Sequence, residues 1–575
     1  MVNEFIHFTH SLSNELLSKI IWDGVMKNLK GFELDVSIEN LMKTSKILAQ
    51  WERLSGSDAE KEAFIFLQQE LKNIGFSTTL IHHDAYISLP VAASIEIDGI
   101  EIPCQTHAMS PSVNRLEGEL VYIKDESDSN LVTCNEKIVM IHAFPEFPLL
   151  EKLQNVGAKA VVFAQLELIC ESIVSDVWGS PSIYTKQCLP HIPCVSVTEG
   201  NAHRLKTFVG KKMRLSTAVD TGWRKIPLLI AELKAPTETD QFVMFTGHID
   251  SWHYGAIDNA TANATQLEVA RIAALHKDEL AFNFRIVYFS GHSHGRYAGS
   301  AWYADNNWDD LHYNCIININ ADCLGGVGLN DLTRSAIMPE AKPLAVSIIK
   351  KLTGTDYTGS RYGRFADQSF WIHGVSSAFA SLSKEFPDKK QGLHDLGWWW
   401  HTSEDHIERI DPENLLRDAR IFTLYAMTFL TSPRILLDFR QTVAELLKGL
   451  MFWQEKARNK FDLSLELAIA RELDKNCEAL YRMQISDKCF NRLALELGRI
   501  LIPLNMTTGN IYKNDSCAYL PPVPSLCLID EMVSAIAGSD LEKEILVELV
   551  QKRNYVRHSL IRANTLITCT LAIQL

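Results

Sequence analysis

The sequence predicts an α/β fold: a mixed, mainly parallel sheet with flanking helices, an inserted β-rich module and a helical C-terminal extension. Three observations predict it. Between residues 229 and 434, apolar strand-like runs alternate with helical stretches, the pattern of parallel strands joined by crossover helices. Between 91 and 228 the texture changes to short apolar runs separated by turns. After Pro433 the pattern becomes almost purely helical.

The elements follow in order. In Ser57-Asp58-Ala59-Glu60 a side-chain acceptor precedes a carboxylate by three residues, the signature of a capped helix start. Phe64, Leu67, Leu71 and Ile74 then fall on one helical face, and Gly75 ends the helix. Residues 1–90 thus open the main α/β domain. In the module, 91–228, the strand candidates are 91–97, 120–123, 137–142 and 160–164, with a short helix over 149–156 stopped by Gly157. In the main domain, 229–434, the buried-strand runs are 242–246, 284–290, 315–321 and 375–382. Two long amphipathic segments, 435–457 and 463–483, head the C-terminal region 435–575.

Composition bounds the function. A chain of 575 residues exceeds what one hydrophobic core serves, so two or three domains are expected. Hydrophobic residues at 46% and charged ones at 22% exclude a disordered or fibrous chain. A net charge of −14 argues against a nucleic-acid partner. No run of 18 apolar residues occurs, so no membrane span is expected. Residues 1–17 carry Glu4, His7, His10 and Glu15 without a basic start and apolar core, which argues against a secretory signal. The twelve scattered cysteines read as reduced, mostly buried thiols, and the expected location is cytoplasmic.

The chemistry concentrates in 242–322. Three buried-strand runs each deliver a His or Asp at the carboxyl end: Gly247-His248-Ile249-Asp250, then Gly291-His292-Ser293-His294-Gly295, then Asp322. That edge is where open α/β sheets bind ligands. Asp258 lies in the loop after the first strand, and His401 follows the last one. Imidazoles and carboxylates gathered this way form the mixed N/O shell that suits zinc and its neighbours. Asp250, two residues past His248, is placed to accept that residue's other ring N–H.

Gly247 to Asn259, Asn318 to Cys323 and His401-Thr402-Ser403-Glu404-Asp405 resemble the metal-binding segments of co-catalytic zinc aminopeptidases and carboxypeptidases. The similar branch contains glutamate carboxypeptidase II and the transferrin receptor. The middle module is similar to a protease-associated domain inserted in that scaffold. The resemblance covers roughly 40–430 and implies a zinc exopeptidase-like fold with one or two divalent metals, expected to be zinc. It implies His248, Asp258, His294, Asp322 and His401 as ligands, with Asp258 bridging. The family's next motif is a Glu-Glu pair, a general base followed by a ligand. Counting back from Gly299-Ser300 puts Ser293 and His294 there, so both glutamates are missing. His294 can supply an imidazole, but serine is a poor proton acceptor; His292 and Glu404 are the substitutes at hand.

The implied activity is metal-dependent hydrolysis of a peptide-like or amide bond, with metals polarising the carbonyl and supplying hydroxide. Asp250, Ser293 and His292 are the catalytic candidates beside the ligands. The expected partner is a peptide or an amide-containing small substrate, and the C-terminal helices serve either a homodimer or a cover for the main domain. Two other readings stay open. Gly291 to Gly295 fits G-x-S-x-G, a nucleophile elbow with Ser293 as serine nucleophile. The scaffold also persists in a binding protein, so a non-catalytic, metal-binding chain is the third. Trp398, Trp399 and Trp400 line a pocket or form a packing wedge. Asp367 resembles a family Ser-Asp segment beside the site, and Arg361 and Arg364, which could bind a substrate carboxylate through bidentate contacts, read rather as solvent-facing loop charges.

Overall fold

The computed structural model describes residues 30–574. The expectation about a leader, which concerns residues 1–17, lies outside them. The described strands form one twelve-stranded sheet. Its spine is a ribbon of two very long antiparallel strands, Ser77–Ile97 and Lys212–Leu233, paired from Ser77 opposite Glu232 to Ile97 opposite Met213 with one register shift between Pro90 and Ala92. One end of the ribbon joins the main sheet, where Leu229–Leu233 pairs antiparallel with Phe284–Tyr288. The other end carries the module, where Met213–Thr217 pairs with the strand Val113–Tyr122. Both expected borders, 90/91 and 228/229, therefore fall inside single continuous strands.

The main sheet continues from Asn283–Phe289 through Phe242–His248 and Cys315–Asn320 to Ser376–Ala378, all parallel. These strands are buried along almost their whole length because helices cover both faces. One face packs on helices Ile38–Leu48, Ala262–Leu275 and Pro412–Thr431, the other on Ala298–Asn306 and Trp308–Asn314. In the module, Val113–Tyr122, Lys137–His142, Ala160–Ala164 and Cys194–Val197 run parallel, with a separate apolar core on each face.

Local chemistry sets the element ends. Ser57 Oγ accepts the amide N–H of Glu60 at 3.1 Å and caps the helix Asp58–Asn73. The Glu60 carboxylate reaches back one residue further than a capping box requires, to the N–H of Gly56 at 2.7 Å. The short module helix is Phe147–Asn155, and Gly157 beyond it adopts φ +84°.

The C-terminal helices Phe439–Ala457, Ser464–Arg482, Asp487–Met506 and Asp540–Gln574 share the main core. Arg499 fastens them to the sheet by donating to the carbonyls of Leu311, Gly374 and Cys315. Arg361 and Arg364 depart from the expected solvent-facing role. Arg361 donates to the carbonyls of Leu520 and Asn505. Arg364 is fully buried between the rings of Trp178 and Trp371. Both seam the main domain to its neighbours, a task invisible in local sequence. All twelve cysteines are unpaired, and among the described residues no helix is long and apolar enough to cross a membrane.

His107 is fully buried in the module against Ser196 Oγ at 2.7 Å, and burial pulls its pKa down from 6.5 to about 3. The unfolded chain binds a proton there as pH falls below 6.5 and the folded chain does not, so this residue costs stability between pH 6.5 and about 3. A His107→Gln variant lacks that loss. Its urea midpoint therefore draws closer to the wild-type midpoint as pH falls through this window, and a constant gap contradicts the assignment.

Candidate metal centre

The sheet's carboxyl edge gathers the functional groups. Phe242–His248 ends on His248, and its ring Nδ1 lies 2.8 Å from the backbone carbonyl of Asp250. A carbonyl only accepts, so Nδ1 carries the hydrogen and Nε2 presents its lone pair. That Nε2 faces Asp258 Oδ1 at 3.2 Å and Asp322 Oδ1 at 3.4 Å. The same pattern recurs at His401. Its Nδ1 lies 2.9 Å from the carbonyl of Glu171, and its Nε2 faces Asp258 Oδ2 at 3.0 Å. Asp258 thus stands between the two imidazoles, one oxygen towards each. Asp258 Oδ1 is buried with no hydrogen-bond partner. Lone pairs pointed at carboxylate oxygens are repulsive unless a cation or an added proton lies between them. The donor set is therefore chemically suited to a divalent ion, and all four side chains are buried or nearly so.

Burial disfavours charge on His248, yet Asp250, Asp258 and Asp322 outweigh it and hold the imidazolium pKa well above 6.5. Asp258 sits well below the usual carboxylate range, because His248 and His401 outweigh its own burial. Both directions say that this cluster stabilises positive charge.

Several placements differ from the sequence expectation. The Asp250 carboxylate does not take the His248 ring hydrogen; its Oδ1 is 3.7 Å from Nδ1, and the residue's own carbonyl is closer. A spacing of two along an extended turn brings backbone, rather than side chain, onto the ring. The carboxylate instead accepts the N–H of His292 at 3.2 Å, the N–H of Ser293 at 2.8 Å and the hydroxyl of Ser55 at 2.7 Å. It is the anchor of the loop between strand Asn283–Phe289 and helix Ala298–Asn306.

His294 is fully buried behind that loop, with Nδ1 2.9 Å from Ser55 Oγ and its ring 4.2 Å from that of Trp252. His292 lies on the cleft side, its ring stacked on His248 at 3.7 Å and its Nδ1 2.9 Å from Asp367 Oδ2. Ser293 lines the cleft, but among the described residues no imidazole is hydrogen-bonded to its hydroxyl. The left-handed residues of the loop are Gly291, Arg296 and Tyr297 rather than Ser293. Glu404 points elsewhere, paired with Arg409 at 2.9 Å. The three tryptophans divide the two expected tasks: Trp400 lines the cleft and stacks on His401 at 3.5 Å, while Trp399 is core.

Supporting residues far away in the chain complete the arrangement. Arg53 is fully buried and donates to the carbonyls of Ile249, Tyr254 and Gly255, holding the loop that leads to Asp258. Gly255 turns there at φ +50°, where an added Cβ would lie 2.1 Å from the carbonyl oxygen of Asp258. Asp405 accepts the N–H groups of Ile257 and Asp258 at 2.8 and 3.0 Å, and burial pushes its pKa up to about 7. The only sequence signal for these supports was the carboxylate in the motif after His401. The cleft holds about 450 Å³, and its wall combines the module (Phe144, Phe147), the main domain (Trp252, Trp400) and the C-terminal region (Tyr519).

Residues 229–426 match peptidase family M28. Among curated relatives, a probable glutamate carboxypeptidase VP8 from Zea mays is 24% identical over 250 residues, covering 40% of this chain and 34% of that protein. A glutamate carboxypeptidase 2 homolog from Caenorhabditis briggsae is 24% identical over 186 residues, 32% of this chain and 22% of that one. The match thus spans about a third or less of these relatives. Among solved structures, an aminopeptidase from Aneurinibacillus sp. strain AM-1 aligns with a TM-score of 0.54 at 21% identity, over 71% of this chain and 97% of that one. A zinc aminopeptidase from Bacillus subtilis gives 0.56 at 17%, over 70% and 96%. These two share the fold.

Replacing Asp250 by Ala leaves two loop N–H groups and a hydroxyl unsatisfied in a dry interior, at about 1–3 kcal/mol for each group left without a partner. Asp250→Ala is therefore expected to lower stability by at least about 2 kcal/mol in urea unfolding. Glu404→Gln, which touches one half-exposed ion pair, changes it by about 0.5 kcal/mol or less. Equal effects from the two would contradict the anchoring role.

Proposed function

We propose that this chain, whose residues 229–426 match peptidase family M28, is a metal-dependent hydrolase of a peptide-like or amide bond. The observation that carries the reading is the convergence of His248, Asp258, Asp322 and His401, with ring lone pairs turned to carboxylate oxygens at the edge of a cleft. These four residues would hold one or two divalent ions, expected to be zinc. A bound divalent ion supplies Lewis acidity, polarising a substrate carbonyl and acidifying a water.

The chain's own residues do the rest. The carbonyls of Asp250 and Glu171 fix both histidines in the liganding tautomer. Phe144, Phe147, Trp252, Tyr297, Trp400 and Tyr519 line the cleft with aromatic surface that excludes water and receives the substrate's apolar parts. The PA-like module and the C-terminal segment close the wall, which favours short peptides and small amides over folded proteins. Ser293, at the position where the family carries its general base, offers a hydroxyl for hydrogen bonding to substrate. A serine-nucleophile mechanism finds no imidazole on that hydroxyl to activate it. The packing of the C-terminal helices on the main core supports a covering role for them.

The test is amide hydrolysis by the purified full chain on a panel of short peptides and aminoacyl amides. A metal chelator is expected to abolish turnover and added Zn²⁺ to restore it, with a serine-directed phosphonate having no effect. Asp258→Ala, which removes the carboxylate shared by both histidines, should lose turnover and retained metal together. Phosphonate-sensitive turnover that survives chelation would overturn the proposal in favour of Ser293.

A further inference from the structure

We infer that His292, backed by Asp367, is itself a metal ligand, and that the chain retains one ion, among His248, His292 and Asp322 with Asp258 beside them, where the family resemblance implies one or two. This inference rests on the metal-dependent reading above and narrows it to one position.

The first argument is geometric. Among the described residues, His248, His292 and Asp322 bring one ligand atom each to within 4.8 Å of one another. The second cluster of this kind, Asp258, Asp322 and Cys323, shares Asp322 with the first. The carboxylate oxygens nearest His248 Nε2 belong to Asp258 and Asp322. Among the described residues, His401 belongs to neither cluster.

The second argument is the tautomer of His292. Asp367 is almost fully buried and its Oδ2 lies 2.9 Å from His292 Nδ1. An ionised carboxylate only accepts, so Nδ1 carries the hydrogen and Nε2 keeps its lone pair. A carboxylate behind an imidazole is the arrangement that orients histidine ligands in metal sites. The ring cannot swing away, being stacked on His248 at 3.7 Å and edge-on to Tyr297 at 4.8 Å.

The third argument is what the other position lacks. Asp258 Oδ2 and His401 Nε2 offer two donors there. The third donor implied by the family count is His294, which the loop turns inward. Its Nδ1 contacts Ser55 Oγ at 2.9 Å, that hydroxyl donates onward to Asp250 Oδ2 at 2.7 Å, and Trp252 covers the ring. His294 is also not among the residues lining the cleft. Two donors hold a divalent ion far less well than the three, His248, His292 and Asp322, that converge on the other side.

The test uses the full chain, stripped with chelator, reloaded with Zn²⁺ and dialysed, with metal per chain measured by mass spectrometry. One equivalent is expected in the wild type and in His294→Gln. His292→Ala should lose the retained ion, and Asp367→Asn should weaken Kd by about 10–100-fold, the usual cost of removing a carboxylate that orients a liganding histidine. X-ray absorption at the zinc edge should count two imidazoles in the wild type and, where His292→Ala is folded by circular dichroism, fewer in that variant when saturated with zinc. Two retained equivalents, a single imidazole in the wild-type shell, or an unchanged Kd in His292→Ala would each overturn the inference while leaving the hydrolase reading intact. A folded wild-type chain that binds no zinc at all would overturn both.

Discussion

The site depends on one electrostatic constraint: imidazole lone pairs held facing carboxylate oxygens. Two backbone carbonyls, of Asp250 and Glu171, take the Nδ1 hydrogens of His248 and His401 and leave both Nε2 atoms directed at Asp258. Neither ring can satisfy Asp258 without a positive charge between them or on itself. The surrounding structure maintains that opposition. Arg53 holds the loop before Asp258, Gly255 permits its turn, and Asp405 takes the N–H groups of Ile257 and Asp258. Burying so much unneutralised polarity is costly, and a bound cation is what makes it tolerable.

The module takes part directly in this constraint. The carbonyl that sets the His401 tautomer belongs to Glu171, and the backbone N–H of Glu171 donates to the His401 carbonyl at 2.7 Å. Two reciprocal bonds thus join the module to a candidate ligand. The Glu171 side chain is buried beside Gln105, and burial pushes its pKa up to about 8. The two-stranded ribbon of 77–97 and 212–233 supplies the rigid connection that keeps this contact in register. The module is therefore part of the site's wall and part of its tautomer control at once.

The loop 290–298 sorts its alternating His and Ser side chains between the cleft and the interior. Asp250 draws in the N–H groups of His292 and Ser293, which leaves His292 on the cleft side and sends His294 into the interior. Three left-handed residues, Gly291, Arg296 and Tyr297, shape the path. Tight approach of the following helix fixes its end, since a Cβ on Gly299 would lie 2.4 Å from the carbonyl oxygen of Ser290. An alternation of His and Ser in sequence thus becomes one histidine in the cleft and one behind it.

Much of this protein was determined by sequence alone. Apolar runs long enough to be buried on both sides specify parallel strands, and chemistry at their carboxyl ends marks the site, because those patterns are local and follow from backbone geometry. The gathering of His248, Asp258, Asp322 and His401 at one edge was legible for that reason. Tertiary structure alone decided which of His292 and His294 faces the cleft, that Asp250 anchors a loop, and that Arg53, Ser55, Glu171 and Asp367 support the centre. Each of those depends on a hydrogen bond to a residue tens to hundreds of positions away. Spacing along a chain carries no record of such partners, and a one-residue change in a loop's path exchanges the face each side chain presents.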